Sequence, residues 1–166
     1  MTSMLWLPLL VLLQQAPAAG GSCEAQYASS VDQRGDQAMG FSHEQTAHHF
    51  TLTADGGRIS AAALSADDVA SRDAIRAHMG HIAQAFTAGN FEMPMFIHGK
   101  TPPGVDTMRR LKGDIVYRAE DTSLGGRVVI QTRNDAAREA IHEFLKFQIE
   151  DHATGDSLAG CHGQSH

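Results

Sequence analysis

Histidine and methionine carry what chemistry this sequence offers, and they are clustered. The chain of 166 residues has ten histidines and seven methionines but a formal net charge of −6. Protonating every imidazole would move that charge from −6 to +4, so metal, pH or acid/base chemistry is written into the composition. His43, His48 and His49 lie within seven residues, next to Met39 and Glu44; His78 and His81 flank Met79; His98 follows Met93 and Met95. An i, i+3 histidine pair such as His78/His81 can form a bidentate arm for zinc, copper or nickel if a helix carries it. Thioether sulfur is a soft donor suited to Cu(I), so Met93 and Met95, in a strand or loop stiffened by Pro94 and with His98 three residues on, can offer two S and one N to one ion.

Each group also has a plain structural role. His78 and His81 can be solvated residues beside a core stripe, and Met93, Met95, Phe96 and Ile97 can fill core gaps. His48 and His49 point to opposite faces of any strand, and His48 shares its face with Phe50 and Leu52. His142 and His152 flank or extend the apolar stripe of the last helix, and His162 and His166 fall in a glycine-punctuated tail. The aspartates Asp32, Asp36, Asp67, Asp68 and Asp73 read as solvated or helix N-terminal charges. His/Met ligation would also suit haem iron, but with no Cys-x-x-Cys-His only a b-type haem is open. The sequence has no Gly-x-Ser-x-Gly elbow, phosphate loop, His-Glu-x-x-His, dinucleotide fingerprint or Cys-x-x-Cys.

The elements that must position these residues follow from pattern. Leu5 to Leu13 is an apolar run of nine before Ala16-Pro17-Ala18, which reads as a secretory leader too short to span a bilayer. Residues 1–18 are then a signal peptide and the mature chain is periplasmic or secreted, with no membrane segment after cleavage. Cys23 and Cys161 can pair in an oxidising compartment, Cys23 can be lipidated, or Cys161-His162 can belong to a loose tail. Residues 19–45 form an N-terminal segment whose polar Ser30–Gly40 stretch is a frayed helix or an approach segment.

An α+β domain is expected over residues 46–152. The alternation at 48–53, the turn Ala54-Asp55-Gly56-Gly57 and the alternation from Arg58 to Leu64 predict a hairpin. Ser65-Ala-Asp-Asp opens a helix with core positions Ile75, Met79, Ile82 and Phe86. Pro94 and Pro102-Pro103-Gly104 forbid a long element between Phe91 and Val105, and a short helix follows near Asp106–Leu111. A second hairpin spans Asp114–Glu120 and Arg127–Arg133, and Asn134 caps a helix with core positions Ile141, Phe144, Leu145, Gln148 and Ile149. Gly57-Arg58-Ile59 echoes Gly126-Arg127-Val128, and Arg72-Asp73-Ala74-Ile75 echoes Arg138-Glu139-Ala140-Ile141. The expectation is a single domain with a ββα–ββα pseudo-repeat, four antiparallel strands and two helices on one face. Residues 153–166 are expected to be a flexible tail.

The stretches Arg34-Gly35-Asp36-x-x-Met39-Gly40-Phe41-x-His43-Glu44-x-Thr46-x-His48-His49-Phe50, Ser71-Arg72-Asp73-x-Ile75-Arg76-x-His78, Pro94-Met95-Phe96-Ile97-His98, Pro102-Pro103-Gly104-Val105 and Phe147-Gln148-Ile149-x-Asp151-His152-x-Thr154-Gly155-Asp156 resemble a family of small exported bacterial proteins. Members are often labelled aspartate carbamoyltransferase. The resemblance covers nearly all of the mature chain and implies export, but it brings no mechanism. True aspartate carbamoyltransferases are about twice as long, with two α/β domains, and carry a Ser-Thr-Arg-Thr phosphate-binding signature that is absent here.

Length and composition exclude a multi-domain enzyme, and the acidic balance argues against a nucleic-acid partner. Three readings stay open. The first is an exported metal-handling or resistance protein binding copper, or zinc as a second choice, through His43, His48 or His49, His78, His81 and His98, with Met39, Met93 or Met95 as soft ligands. The second is a small metal- or histidine-dependent hydrolase or transferase with His78, His81 and His98 around a cleft. The third is a metal-free interaction module. Self-association into a homo-oligomer is compatible with all three.

Overall fold

A computed structural model describes residues 23–160, and the expectations for the leader and for pairing or lipidation of the cysteines lie outside the described side chains. The helices are α1 (Cys23–Met39), α2 (Val69–Ala88), α3 (Glu92–His98), α4 (Val105–Arg110) and α5 (Asp135–Asp151). The strands are β1 (Thr46–Thr53), β2 (Gly56–Ala63), β3 (Ile115–Asp121) and β4 (Gly125–Thr132). The four strands form one antiparallel sheet in the order β1-β2-β4-β3, so the fold is α+β as expected.

Register explains which residues meet. Phe50 pairs with Ile59, Ile59 with Val128, and Ala119 with Val128, so one row crosses the whole sheet on one face. Neighbouring rows on that face contain Leu52, Ala61, Ile130 and Tyr117, all buried. The opposite face carries His49, Thr51, Arg58, Arg118, Arg127 and Gln131, consistent with the period-2 alternation of half-buried strands.

Helices α2 and α5 cover the apolar face. Asp68 caps α2 by accepting from the Ser71 amide, and Gly89 closes it in the left-handed conformation. Asn134 caps α5 by accepting from the Ala136 and Ala137 amides. The two ββα units interlock: α2, which follows the first hairpin, packs mainly over β3 and β4, while α5 lies mainly over β1 and β2. The echoed glycines are points of close helix approach. A Cβ on Gly57 would run into Leu145 Cδ1 of α5 and lie 2.7 Å from the Thr51 carbonyl oxygen; one on Gly126 would lie 3.3 Å from Met79 Cγ of α2. Phe86, Phe91 and Phe144 join the two helices, with Phe86 and Phe91 stacked at 4.4 Å and Phe86 edge-on to Phe144 at 5.9 Å.

Two segments sharpen or change the sequence expectation. Of the frayed helix and the approach segment left open for the N-terminal stretch, the structure has the helix, continuous over 17 residues and fastened by tertiary contacts that its polar sequence does not advertise. The Met93–His98 segment is helix α3, not a strand or loop. Pro94 is its third residue, and the first-turn N–H groups of a helix have no intrahelical acceptor, so proline removes nothing there. Helical geometry also places Met93 and Met95 about 200° apart, on different sides of α3.

The glycine contacts make a prediction. Gly57→Val should destabilise the fold by at least about 2 kcal/mol through overpacking against Leu145, whereas Ala62→Val on the opposite face should stay within about 0.5 kcal/mol. Urea unfolding of the two variants checks this, and equal losses would show that the helix–sheet approach is looser than described.

Candidate functional site

α2 and α5 do not seal the sheet face alone; α1 and α3 lie across the space between them and enclose a cavity of about 90 Å3. Val31, Asp32, Gly35 and Met39 of α1 form one wall, and His78, Met79, Ile82 and Phe86 of α2 form another. Phe144 and Gln148 of α5, His48 and Phe50 of β1, and Met93, Pro94 and Ile97 of α3 complete it with Ile59, His43 and His152.

The imidazoles in this wall are held by aromatic contacts more than by hydrogen bonds. Phe41 stacks on His48 with ring centroids 5.8 Å apart and meets His78 edge-on at 5.5 Å. His152, just past the end of α5, stacks on Phe50 at 5.8 Å and meets His98 edge-on at 5.0 Å. Burial in these apolar surroundings pushes His48, His78 and His152 down to about 4, with the proximity of other histidines adding to the effect. All three are therefore neutral at physiological pH. His48 Nε2 and Gln148 Nε2 are buried with no hydrogen-bond partner among the described residues.

His43 stands at the edge of the cavity and behaves oppositely. Its Nδ1 lies 3.0 Å from Asp36, whose Oδ1 also accepts from the His43 amide at 2.8 Å, and its Nε2 faces Asp32 at 4.0 Å. The hydrogen bond to Asp36 raises its pKa. Asp36 and Asp32, which read as simple solvated charges in the sequence, thus tie α1 to the turn before β1.

Behind Gln148 lies a second polar cluster. His98 is 2% exposed; its Nδ1 is 2.6 Å from Asp151 Oδ2 and its Nε2 is 3.0 Å from Gln148 Oε1. The Tyr27 hydroxyl of α1 donates to the His98 carbonyl and approaches Asp151, and Arg34 Nε donates to the Ile97 carbonyl at 2.7 Å. These side chains satisfy the carbonyls that the C-terminal end of α3 leaves without intrahelical partners, and so dock α1 on α3. Lys100 Nζ sits 4.8 Å from the centroid of Phe147 and 4.0 Å from Asp151.

The predicted ligands therefore separate. Met39, Met93, His43, His48 and His78 line the one cavity. His81 is exposed on α2 while His78 is buried: the two lie only about 60° apart around the axis, and the edge of the cavity falls between them. His49 is on the opposite face of the sheet, with Nδ1 3.0 Å from Asp156, whose other oxygen accepts from the Phe50 amide. His98 has both ring nitrogens engaged, and Met95 lies against Arg109 with its sulfur 3.1 Å from Nη2. His142, expected at the edge of the core, reaches the Thr53 and Gly56 carbonyls of the first hairpin. Among the described residues no group of three His, Cys, Asp or Glu is close enough to hold a metal ion, and no helix is long and apolar enough to cross a membrane.

The sequence reading passed over two contributors to this region. Gln148 appeared only as a core position, and a polar residue on an otherwise apolar stripe was the available signal. Asp151 carried no signal, because its partner is 53 residues away. Comparison with protein-family models, curated proteins and solved structures gives no match.

The neutral rings make stability pH-dependent. A histidine whose folded pKa is lowered from 6.5 to about 4 takes up a proton in the unfolded chain first, so its contribution is fully present above pH 6.5 and is lost as pH falls towards 4. A shift of that size corresponds to about 3 kcal/mol per ring. His43 has the opposite sign: its raised pKa favours the fold below 6.5 and fades as pH rises through the folded value. Melting temperature should fall steeply between pH 6.5 and 4, and less steeply in His78→Phe. A flat profile over that window would mean that the three rings are hydrated.

Proposed function

We propose that the protein is an exported binding protein whose cavity takes a small, uncharged and mainly apolar molecule. The observation that carries this reading is an apolar enclosure in which His48 Nε2 and Gln148 Nε2 are the buried polar atoms without partners. A pocket with apolar walls and a few converging polar groups is the usual form of a small-molecule site, and an unsatisfied buried donor or acceptor is costly until a ligand meets it. His48, His78 and His152 contribute no charge, so a charged ligand would have no counter-ion among these three rings. Titration with small cyclic ketones, followed through the methyl resonances of Met39, Met79 and Met93, tests this reading. A ligand present at a hundred times its Kd should stabilise the fold by about 2.7 kcal/mol. Unchanged methyl resonances and an unchanged melting temperature across such a set would overturn it.

A second reading, soft-metal handling with Cu(I), is favoured by one specific observation. Three thioethers, Met39, Met79 and Met93, share the cavity with His43, His48 and His78. His48 and His78 are neutral, and neutral imidazole is the form that binds metal. Under this reading Cu(I), titrated anaerobically against a competing chelator, binds one equivalent; His48→Gln weakens uptake at least tenfold and His81→Gln does not. Zinc would bind more weakly, since thioether is a poor ligand for it. Equal retention in the two variants would remove the cavity as the copper site. The hydrolase reading has less support, because His78, His81 and His98 face three different surroundings.

A further inference from the structure

β3 lies at one edge of the sheet, and the hairpin that joins it to β4 fixes the direction of its main-chain groups. The Thr122 amide donates to the Gly125 carbonyl at 2.9 Å. Bonded and unbonded positions alternate along an antiparallel strand, so Val116, Arg118 and Glu120 bond to β4, while the amides and carbonyls of Tyr117, Ala119 and Asp121 point away from it. Among the described residues nothing pairs with those outward groups. β1, at the other edge, differs, because Asp156 already accepts from its Phe50 amide.

The side chains along β3 match a copy of themselves. Arg118 and Glu120 stand on the face of the sheet opposite α2 and α5, level with Val129 and Arg127 of β4. When two β3 strands run antiparallel about a two-fold axis at Ala119, Arg118 of each faces Glu120 of the other. Both keep a free end for this: Arg118 uses Nη2 for Gln131 at 2.6 Å, and Glu120 uses Oε2 for Arg127 at 2.7 Å. Asp121, which then falls opposite Tyr117, has Arg76 as a counter-ion 3.8 Å away. Ala119, at the axis, is small and exposed. α2 presents no obstacle on this side. Beyond Arg76, whose guanidinium reaches the Thr122 carbonyl, Gly80 and Thr87 come round within about 40° on the same flank, and a Cβ on Gly80 would meet nothing within 4 Å.

We propose that β3 is the contact edge of a symmetric dimer of this chain, in which two copies join along Tyr117–Asp121 into one continuous antiparallel sheet and the Arg118–Glu120 pairs fix the register. About six main-chain hydrogen bonds close the joint. The charges select it, because like charges directly opposite each other destabilise a strand pair. The contact is independent of what the cavity holds.

Sedimentation equilibrium of the full mature protein should give twice the chain mass, and the amides of Tyr117, Ala119 and Asp121 should exchange at least about tenfold more slowly in concentrated than in dilute protein. Arg118→Glu sets a like charge opposite Glu120 of the second copy, and Glu120→Arg does so opposite Arg118; each variant alone should have a dimer Kd at least about tenfold above that of the native chain. Mixed in equal amounts, the two variants restore opposite charges at both points and should recover a 1:1 dimer of native affinity, which a merely destabilised fold cannot give. Ala119→Pro is the second arm should a reversal fold poorly. The N–H it removes is one of the outward amides, so the β3–β4 ladder is kept while the joint loses its central bonds, and this variant should be monomeric. A native protein that sediments as a monomer at every concentration overturns the proposal. So does a dimer that these substitutions leave intact, or one whose three outward amides exchange at the same rate at all concentrations; association would then run through another surface.

Discussion

An imidazole surrounded by hydrocarbon must give up its charge, and this fold places three such rings around one space. His48, His78 and His152 come from a strand, a helix and the end of another helix, yet each is stacked against or edged by phenylalanine. Their neutrality is a condition for the arrangement of α1 and α3 above them. Three charged rings so close together would repel one another and draw in water, and the cover those helices provide would open. The apolar cavity and the expected acid sensitivity both follow from that desolvation.

The cover itself is held at its edges. α1 buries Val31, but its firmest attachments are polar: Asp36 to His43 at one end, Arg34 to Ile97 in the middle, and Tyr27 to the His98 carbonyl and Asp151 at the other. A wall fixed at its rim keeps those attachments out of the space beneath, where α1 presents Val31, Gly35 and Met39 beside Asp32. The glycine approaches at Gly57 and Gly126 do similar service below, bringing α5 and α2 close to the sheet at two points while the interval between them stays open.

Elements whose burial follows a simple period were legible from sequence. Phe50 and Leu52 inward with His49 outward, the stripe Ile75, Met79, Ile82 and Phe86, and the Asn134 cap all stand as read. α1 was obscured because tertiary attachments, not a strong apolar stripe, hold it. α3 was obscured because proline in a first turn looks the same in sequence as proline in a loop. Within the site, His48 was legible through strand parity. The separation of His78 from His81 was not, since it depends on where the cavity falls around the α2 axis. Asp151 and Gln148 gain their meaning only when α5 meets α3, and no local spacing reports that meeting.

The carboxylate of Asp156, which accepts from the Phe50 amide while the Thr154 hydroxyl donates to it, bears on how the protein behaves among its neighbours. β1 is an edge strand, and an edge strand with free amides is a template for pairing with another chain. A side chain from the C-terminal segment occupies one of those amides midway along the strand, beside exposed His49. A strand arriving from another molecule would have to displace that carboxylate before it could continue the ladder. The residues after α5 thus stand in the way of edge-to-edge pairing along the middle of β1.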